Sequence, residues 1–152
     1  MKKILLTLIL VLSIVEVVGQ QIQRNPFKVL YRSGRDATLT QYVNRDDKNL
    51  KGQDLFIVSI PEAGLEEYNN VSFSATMEKM TTLLKVLVEG DFNDGDYIND
   101  SGVKITYHVG GMFSVGKTTA GIHEVGIIER QVFEKMYEIM MEIKGKQADP
   151  AL

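Results

Sequence analysis

Residues 111–118 match the phosphate-binding loop of nucleoside triphosphatases, with glycine at the first and sixth positions and Lys117 and Thr118 at the end. In such a loop, backbone N–H groups wrap the phosphates, the lysine reaches the terminal phosphates and the hydroxyl group holds magnesium. A helix must follow, but Gly121 and Gly126 interrupt the next segment, and each costs a helix about 0.5 to 1 kcal/mol relative to alanine. We therefore interpret the match as a β-hairpin, with nucleotide binding as an alternative that its context disfavours.

Oxygen ligands of the kind that calcium prefers crowd the segment 91–100. The candidate ligands are Asp91, Asn93, Asp94, Asp96 and Asp100. Crowded carboxylates repel one another without a cation, and no basic residue lies between Val86 and Val103. The spacing departs from a helix-loop-helix calcium loop at three positions, including Gly102, where a bidentate glutamate is needed. Asn, Asp and Gly also make ordinary turns, so a calcium site and a solvated acidic turn are both open.

Two histidines are candidates for metal binding or for an acid–base pair. His108 falls on the polar side of one predicted strand and His123 on another, so their rings could meet if the strands are close. No HExxH spacing is present, the chain has no cysteine, and no serine lies in a GxSxG pattern. These patterns favour two surface histidines and a non-enzymatic protein, and they single out no catalytic residue.

The N-terminus has the organisation of a secretory signal peptide. A short basic start is followed by an apolar run over 4–15, and small or modest residues lead to Gly19. The run stops at Glu16, well short of the roughly 20 residues that cross a bilayer, which disfavours the alternative of a retained anchor. We predict cleavage of residues 1–19 and a secreted or periplasmic protein without stable membrane anchoring.

Composition limits the class of protein. The 152 residues are 44% hydrophobic and 24% charged, with a net charge of -3, as in an ordinary globular domain. Acidic residues outnumber basic ones, so charge gives no reason to expect nucleic-acid binding. We predict one domain over 20–144 and a flexible C-terminal tail over 145–152.

Hydrophobic periodicity predicts the strands that would position these residues. Alternating or continuous apolar patterns predict strands over 27–31, 54–60, 103–109 and 122–129. Gly110 and Gly111 can supply the positive φ angles of a two-residue turn. Between Asp36 and Val43 the signals compete, and Leu39, Tyr42 and Val43 at helical spacing favour one or two turns of helix.

Two longer segments have the spacing of amphipathic helices. The first carries Met77, Met80, Leu83, Leu84 and Leu87 on one face and should end at Gly90, and the second spans about 130–144. We interpret the methionines of both helices as core residues. The whole pattern predicts an α+β domain, an antiparallel sheet of about four to five strands covered on one face by two helices.

The residues favour a small exported domain that binds a partner protein, a peptide or a surface polymer. The chain requires no cofactor under this hypothesis. A calcium-stabilised extracellular module that uses the segment 91–100 is the first alternative, and a nucleotide-binding protein that uses residues 111–118 is the second.

Overall fold

The computed structural model describes residues 25–43, 52–64 and 69–148. The predicted signal peptide and its cleavage point at Gly19 lie outside these ranges. Within these ranges, four strands and a helix are followed by four more strands and a second helix. The elements are β1 Phe27–Arg32, β2 Thr38–Tyr42, β3 Leu55–Pro61, β4 Asn70–Thr76, α1 Met77–Glu89, β5 Tyr97–Asp100, β6 Val103–His108, β7 Met112–Thr119, β8 Ile122–Glu129 and α2 Arg130–Ala148.

The strands form two antiparallel sheets in which neighbours in the chain are neighbours in space. One sheet has the order β1-β2-β3-β4 and the other the order β5-β6-β7-β8. Phe56, Val58 and Ile60 of β3 are buried, while the residues between them are only half-buried, as the two-residue period of a strand requires. Each sheet therefore presents one face to the core.

Both helices contribute apolar side chains to one core and pack against each other. On α1, Met80, Leu84 and Leu87 are buried, and the helix ends where the Gly90 N–H donates to the Val86 carbonyl at 2.9 Å. On α2, three side chains are fully buried, those of Phe133, Met136 and Met140. The interpretation of these methionines as core residues is confirmed. Neither described helix is long and apolar enough to cross a membrane.

The start of α2 is fixed against the second sheet by Arg130. Its backbone N–H donates to the Gly111 carbonyl at 2.7 Å. Its guanidinium carbon lies 5.2 Å from the ring centre of Tyr107 and 5.8 Å from those of Phe92 and Phe113. The arginine therefore covers an aromatic cluster by cation–π contact.

A short seam joins the two sheets. Glu62, just beyond β3, forms an isolated antiparallel bridge with Gly126 of β8, and the Ala63 N–H donates to the Val125 carbonyl at 2.9 Å. A β-carbon on residue 126 would lie 2.7 Å from the Ile60 Cγ2 atom, so only glycine permits this close approach.

The predicted mixture of helices and strands is confirmed, but the predicted single sheet is not, because the described strands form two sheets of four. The helix predicted within 36–43 is wrong. Thr38 to Tyr42 form β2 because they pair with β1 on one side and β3 on the other. Strands β4 and β5 were not predicted. Helix α2 continues to Ala148, four residues into the predicted tail, and residues 149–152 lie outside the described ranges.

Candidate functional site

The segment 111–118 lies almost entirely in β7, which pairs with β6 on one side and β8 on the other. Its backbone N–H groups are therefore directed into strand ladders instead of around an anion. The predicted hairpin is confirmed, with Gly110 and Gly111 at φ angles of 85° and 79°. Its turn has three residues instead of two, because His108 and Met112 form the last pair.

The carboxylates of Asp94, Asp96 and Asp100 accept hydrogen bonds from nearby backbone and side-chain groups of the protein. The Asn93 N–H donates to Asp96 Oδ2 at 2.7 Å, and the Val109 N–H donates to Asp94 Oδ1 at 3.2 Å. Asp100 lies in β5 and accepts from the Ser101 hydroxyl at 2.7 Å. Among the described residues, no three or more acidic or histidine side chains are grouped to hold a metal ion. Calcium binding here stays a prediction.

The two histidines lie near opposite ends of β7 and do not meet. His108 is opposite Met112 in the ladder and shares a hydrogen bond of 2.8 Å with the Ser114 hydroxyl. His123 is opposite Thr118 and shares one of 3.0 Å with its hydroxyl. The hydroxyl partners of the two rings, Ser114 and Thr118, are four residues apart on β7, which is roughly 13 Å along the strand. They form neither a common metal site nor an acid–base pair.

A cleft of about 480 Å³ lies between the turn that joins β1 to β2, the end of β8 and the first turns of α2. Its apolar lining comes from Tyr31, Ala37, Ile128 and Val132. Because these walls come from both halves of the chain, no local pattern of residues indicated the cleft. The exposed Ile127, with 51% of its surface accessible, lies at one border.

The turn that forms one wall of the cleft is fixed by Ser33. This side chain is buried, and its hydroxyl oxygen accepts hydrogen bonds from the N–H groups of Arg35, at 3.3 Å, and Ala37, at 3.1 Å. The Ser33 N–H in turn donates to the Ala37 carbonyl at 2.8 Å. The wall is therefore held in place by hydrogen bonds within the turn itself.

Charges of both signs surround the cleft in pairs. Arg35 Nη1 lies 3.2 Å from Glu129 Oε1 and links the turn to β8, and the Gln131 amide donates to the second oxygen of the same carboxylate. Lys135 Nζ lies 2.7 Å from Glu138 Oε2 on α2. This hydrogen bond and the charge of Glu138 raise the pKa of Lys135 above its ordinary value. Glu134 adds one further negative charge to the lining.

Comparison with protein-family models, with curated proteins and with solved structures gives no match for this chain.

Proposed function

We propose that this chain is an exported, non-enzymatic binding module, and that its partner protein, peptide or surface polymer occupies the cleft between the first turn and α2. The observation that carries the proposal is the cleft itself. Its volume of about 480 Å³ lies within the range of about 300 to 1,000 Å³ that is typical of ligand sites. Such sites also occur preferentially where two parts of a fold meet.

The lining supports a ligand with an apolar group and little net charge. Tyr31 and Val132 offer apolar surface, whereas the ion pairs of Arg35 with Glu129 and of Lys135 with Glu138 leave no strong field of one sign. The Ser33 hydroxyl, the one serine oxygen in the lining, accepts two backbone hydrogen bonds, and neither histidine belongs to the lining. A lining whose serine hydroxyl is already hydrogen-bonded and that contains no histidine is suited to binding.

Export is the part of the proposal that the N-terminus supports. The basic start, the apolar run over 4–15 and the small residues up to Gly19 are the features of a cleaved signal peptide. The acidic excess of the chain supports a partner other than nucleic acid.

A library of small fragments tests the cleft. We expect that the fragments which bind the exported protein shift the amide NMR signals of Val132, Lys135 and Ile128. The variant Gly34→Trp should abolish these shifts, because Gly34 lines the cleft, a β-carbon on it meets nothing, and a bulky side chain at the lining reduces the space for a ligand. Gly145→Trp is the matched control, since Gly145 is equally open but lies on α2 outside the lining. Shifts that are confined to other surfaces would contradict the proposal.

A further inference from the structure

The cleft borders an edge of β8 whose main-chain groups are directed away from β7. Neighbouring residues of a strand point their N–H and C=O groups to opposite sides. Since Arg130 bonds to Gly111 beside β7, the groups of Ile127 and Glu129 point to the other side. The Val125 carbonyl also points away from β7, and it accepts a hydrogen bond from the Ala63 N–H.

The seam with β3 occupies only the first part of this edge. It ends at the bridge of Glu62 with Gly126. Beyond it, the Glu129 carbonyl belongs to the beginning of α2, where it faces the first turn of the helix. Among the described residues, no hydrogen bond outside the β7 ladder uses the Ile127 carbonyl or the Glu129 N–H. Both residues line the cleft.

We infer that the ligand of the cleft is an extended peptide whose main chain adds to the free edge of β8. This inference rests on the proposed function. In a parallel pair of strands, one residue donates its N–H to a carbonyl of the neighbouring strand, and its own C=O accepts from the N–H two residues further along that strand. The Ile127 carbonyl and the Glu129 N–H have this spacing, so together they match one residue of a parallel strand. The peptide N–H donates to the Ile127 carbonyl, and the peptide C=O accepts from the Glu129 N–H. Addition of a strand to a sheet edge is a common mode of peptide binding.

The side walls fit such a strand. Successive side chains of an extended peptide point to opposite faces, so one apolar side chain can enter the lining at Tyr31 and Val132 while the next faces outward. The exposed Ile127 side chain offers apolar surface to that neighbour. The paired charges of Arg35 and Glu129 on one side favour a peptide without a large net charge. A sugar polymer lacks regularly spaced amides and would not match the edge.

Selection of phage-displayed random dodecapeptides on the exported protein provides the probe. We expect a selected peptide, made synthetically, to bind the protein with an affinity that falls roughly tenfold or more when one of its amides is N-methylated, and to tolerate N-methylation at the neighbouring position. Gly34→Trp should weaken binding by a similar factor, whereas Gly145→Trp should leave it unchanged. Glu129→Pro removes the backbone N–H that donates to the peptide and should therefore weaken binding. Glu129→Gln keeps this N–H and is the control.

Four results would overturn the inference, and two of them leave the proposed function standing. Binding that no single N-methylation weakens would exclude main-chain pairing, and binding that Gly34→Trp leaves intact would place the peptide elsewhere. If no peptide is selected but fragments or oligosaccharides shift the signals of Val132 and Lys135, the cleft binds a different class of ligand and the proposed function stands. If neither peptides nor the other ligands bind there, both fail.

Discussion

Gly126 is a residue at which the two sheets approach each other closely. A β-carbon at this position would lie 2.7 Å from Ile60 Cγ2 and 3.1 Å from the Pro61 carbonyl oxygen. The backbone of Pro61 cannot move away as a flexible side chain can. We expect Gly126→Ala to lower the free energy of unfolding by about 1 to 3 kcal/mol, as overpacking does in a closely packed interior, measured by urea denaturation.

Gly145 provides the control for this substitution. It lies within α2, and a β-carbon there meets nothing. Gly145→Ala should raise the free energy of unfolding by up to about 1 kcal/mol, because alanine has the higher helix propensity. Equal effects of the two substitutions would show that the seam at Gly126 is not closely packed.

Arg130 is the second residue with a measurable structural role. Its side chain lies against Phe92, Tyr107 and Phe113, and its Nε atom is buried without a hydrogen-bond partner among the described residues. We expect Arg130→Ala to reduce the free energy of unfolding by about 1 to 2 kcal/mol through lost cation–π contact and packing.

Arg32→Ala is the comparison for that measurement. The Arg32 side chain is 61% exposed, and its ion pair with Asp36 lies at the surface, so its loss should change the unfolding free energy by no more than about 0.5 kcal/mol. A larger effect of Arg32→Ala than of Arg130→Ala would contradict the assigned role of the aromatic cluster.

At the scale of elements, strong local patterns predicted the structure and weak ones did not. Met80, Leu84 and Leu87 are separated by three or four residues, and α1 forms where this spacing predicts it. In β2, tertiary pairing overrides the helical spacing of Leu39 and Tyr42. Strand β4 carries the alternation of Val71, Phe73 and Ala75, but no strand was predicted from this pattern. Strand β5 has four residues, too few for a periodic signal.

An ion pair on α2 gives a titration prediction. The Lys146 ammonium donates to Glu142 Oε1 at 2.6 Å, which lowers the pKa of Glu142 below its ordinary value. The folded pKa is therefore below the unfolded one, so any stabilisation exists above the unfolded pKa and is lost as the pH falls through the folded pKa. An NMR titration should find this lowered pKa, and Lys146→Gln should return it towards the ordinary value. The same pKa in both proteins would contradict the pairing.

A substitution in the turn over 91–96 distinguishes the two hypotheses for the acidic segment, a calcium site and a solvated turn. Asp96 Oδ2 accepts from the Asn93 N–H, so we expect Asp96→Ala to lower the free energy of unfolding by about 0.5 to 1.5 kcal/mol both in EDTA and in millimolar calcium. If the carboxylates serve to accept these hydrogen bonds, calcium should not change the midpoint of thermal unfolding of the wild type. A rise in the midpoint with calcium that Asp91→Asn abolishes would instead support the calcium hypothesis.

At the scale of the whole molecule, the cleft could not be predicted from the sequence. Its walls at Tyr31, Ile128 and Val132 come from segments that are far apart in the chain and meet only after the two sheets join. For the same reason, the sequence did not decide whether the two histidines lie close together. Their separation depends on the registers of β6 and β8 with β7, which the residues alone do not fix.

Export gives the prediction that concerns the chain as a whole. We expect the protein recovered outside the cytoplasm to begin at Gln20, since removal of residues 1–19 exposes that residue. Intact-mass spectrometry and N-terminal sequencing check this. A recovered protein that keeps Lys2 and Lys3 and sediments with membranes would support the retained anchor.

Every strand of the two described sheets pairs with its neighbour in the chain, which has a consequence for folding kinetics. Contacts that close short loops lose little entropy and form fast. Each half can therefore complete its ladders without the other, while the seam of Glu62 with Gly126 must wait for distant segments to dock. Because the cleft takes its walls from both halves, the cleft itself forms only in that last step. A ligand of the proposed site would therefore report the completion of folding.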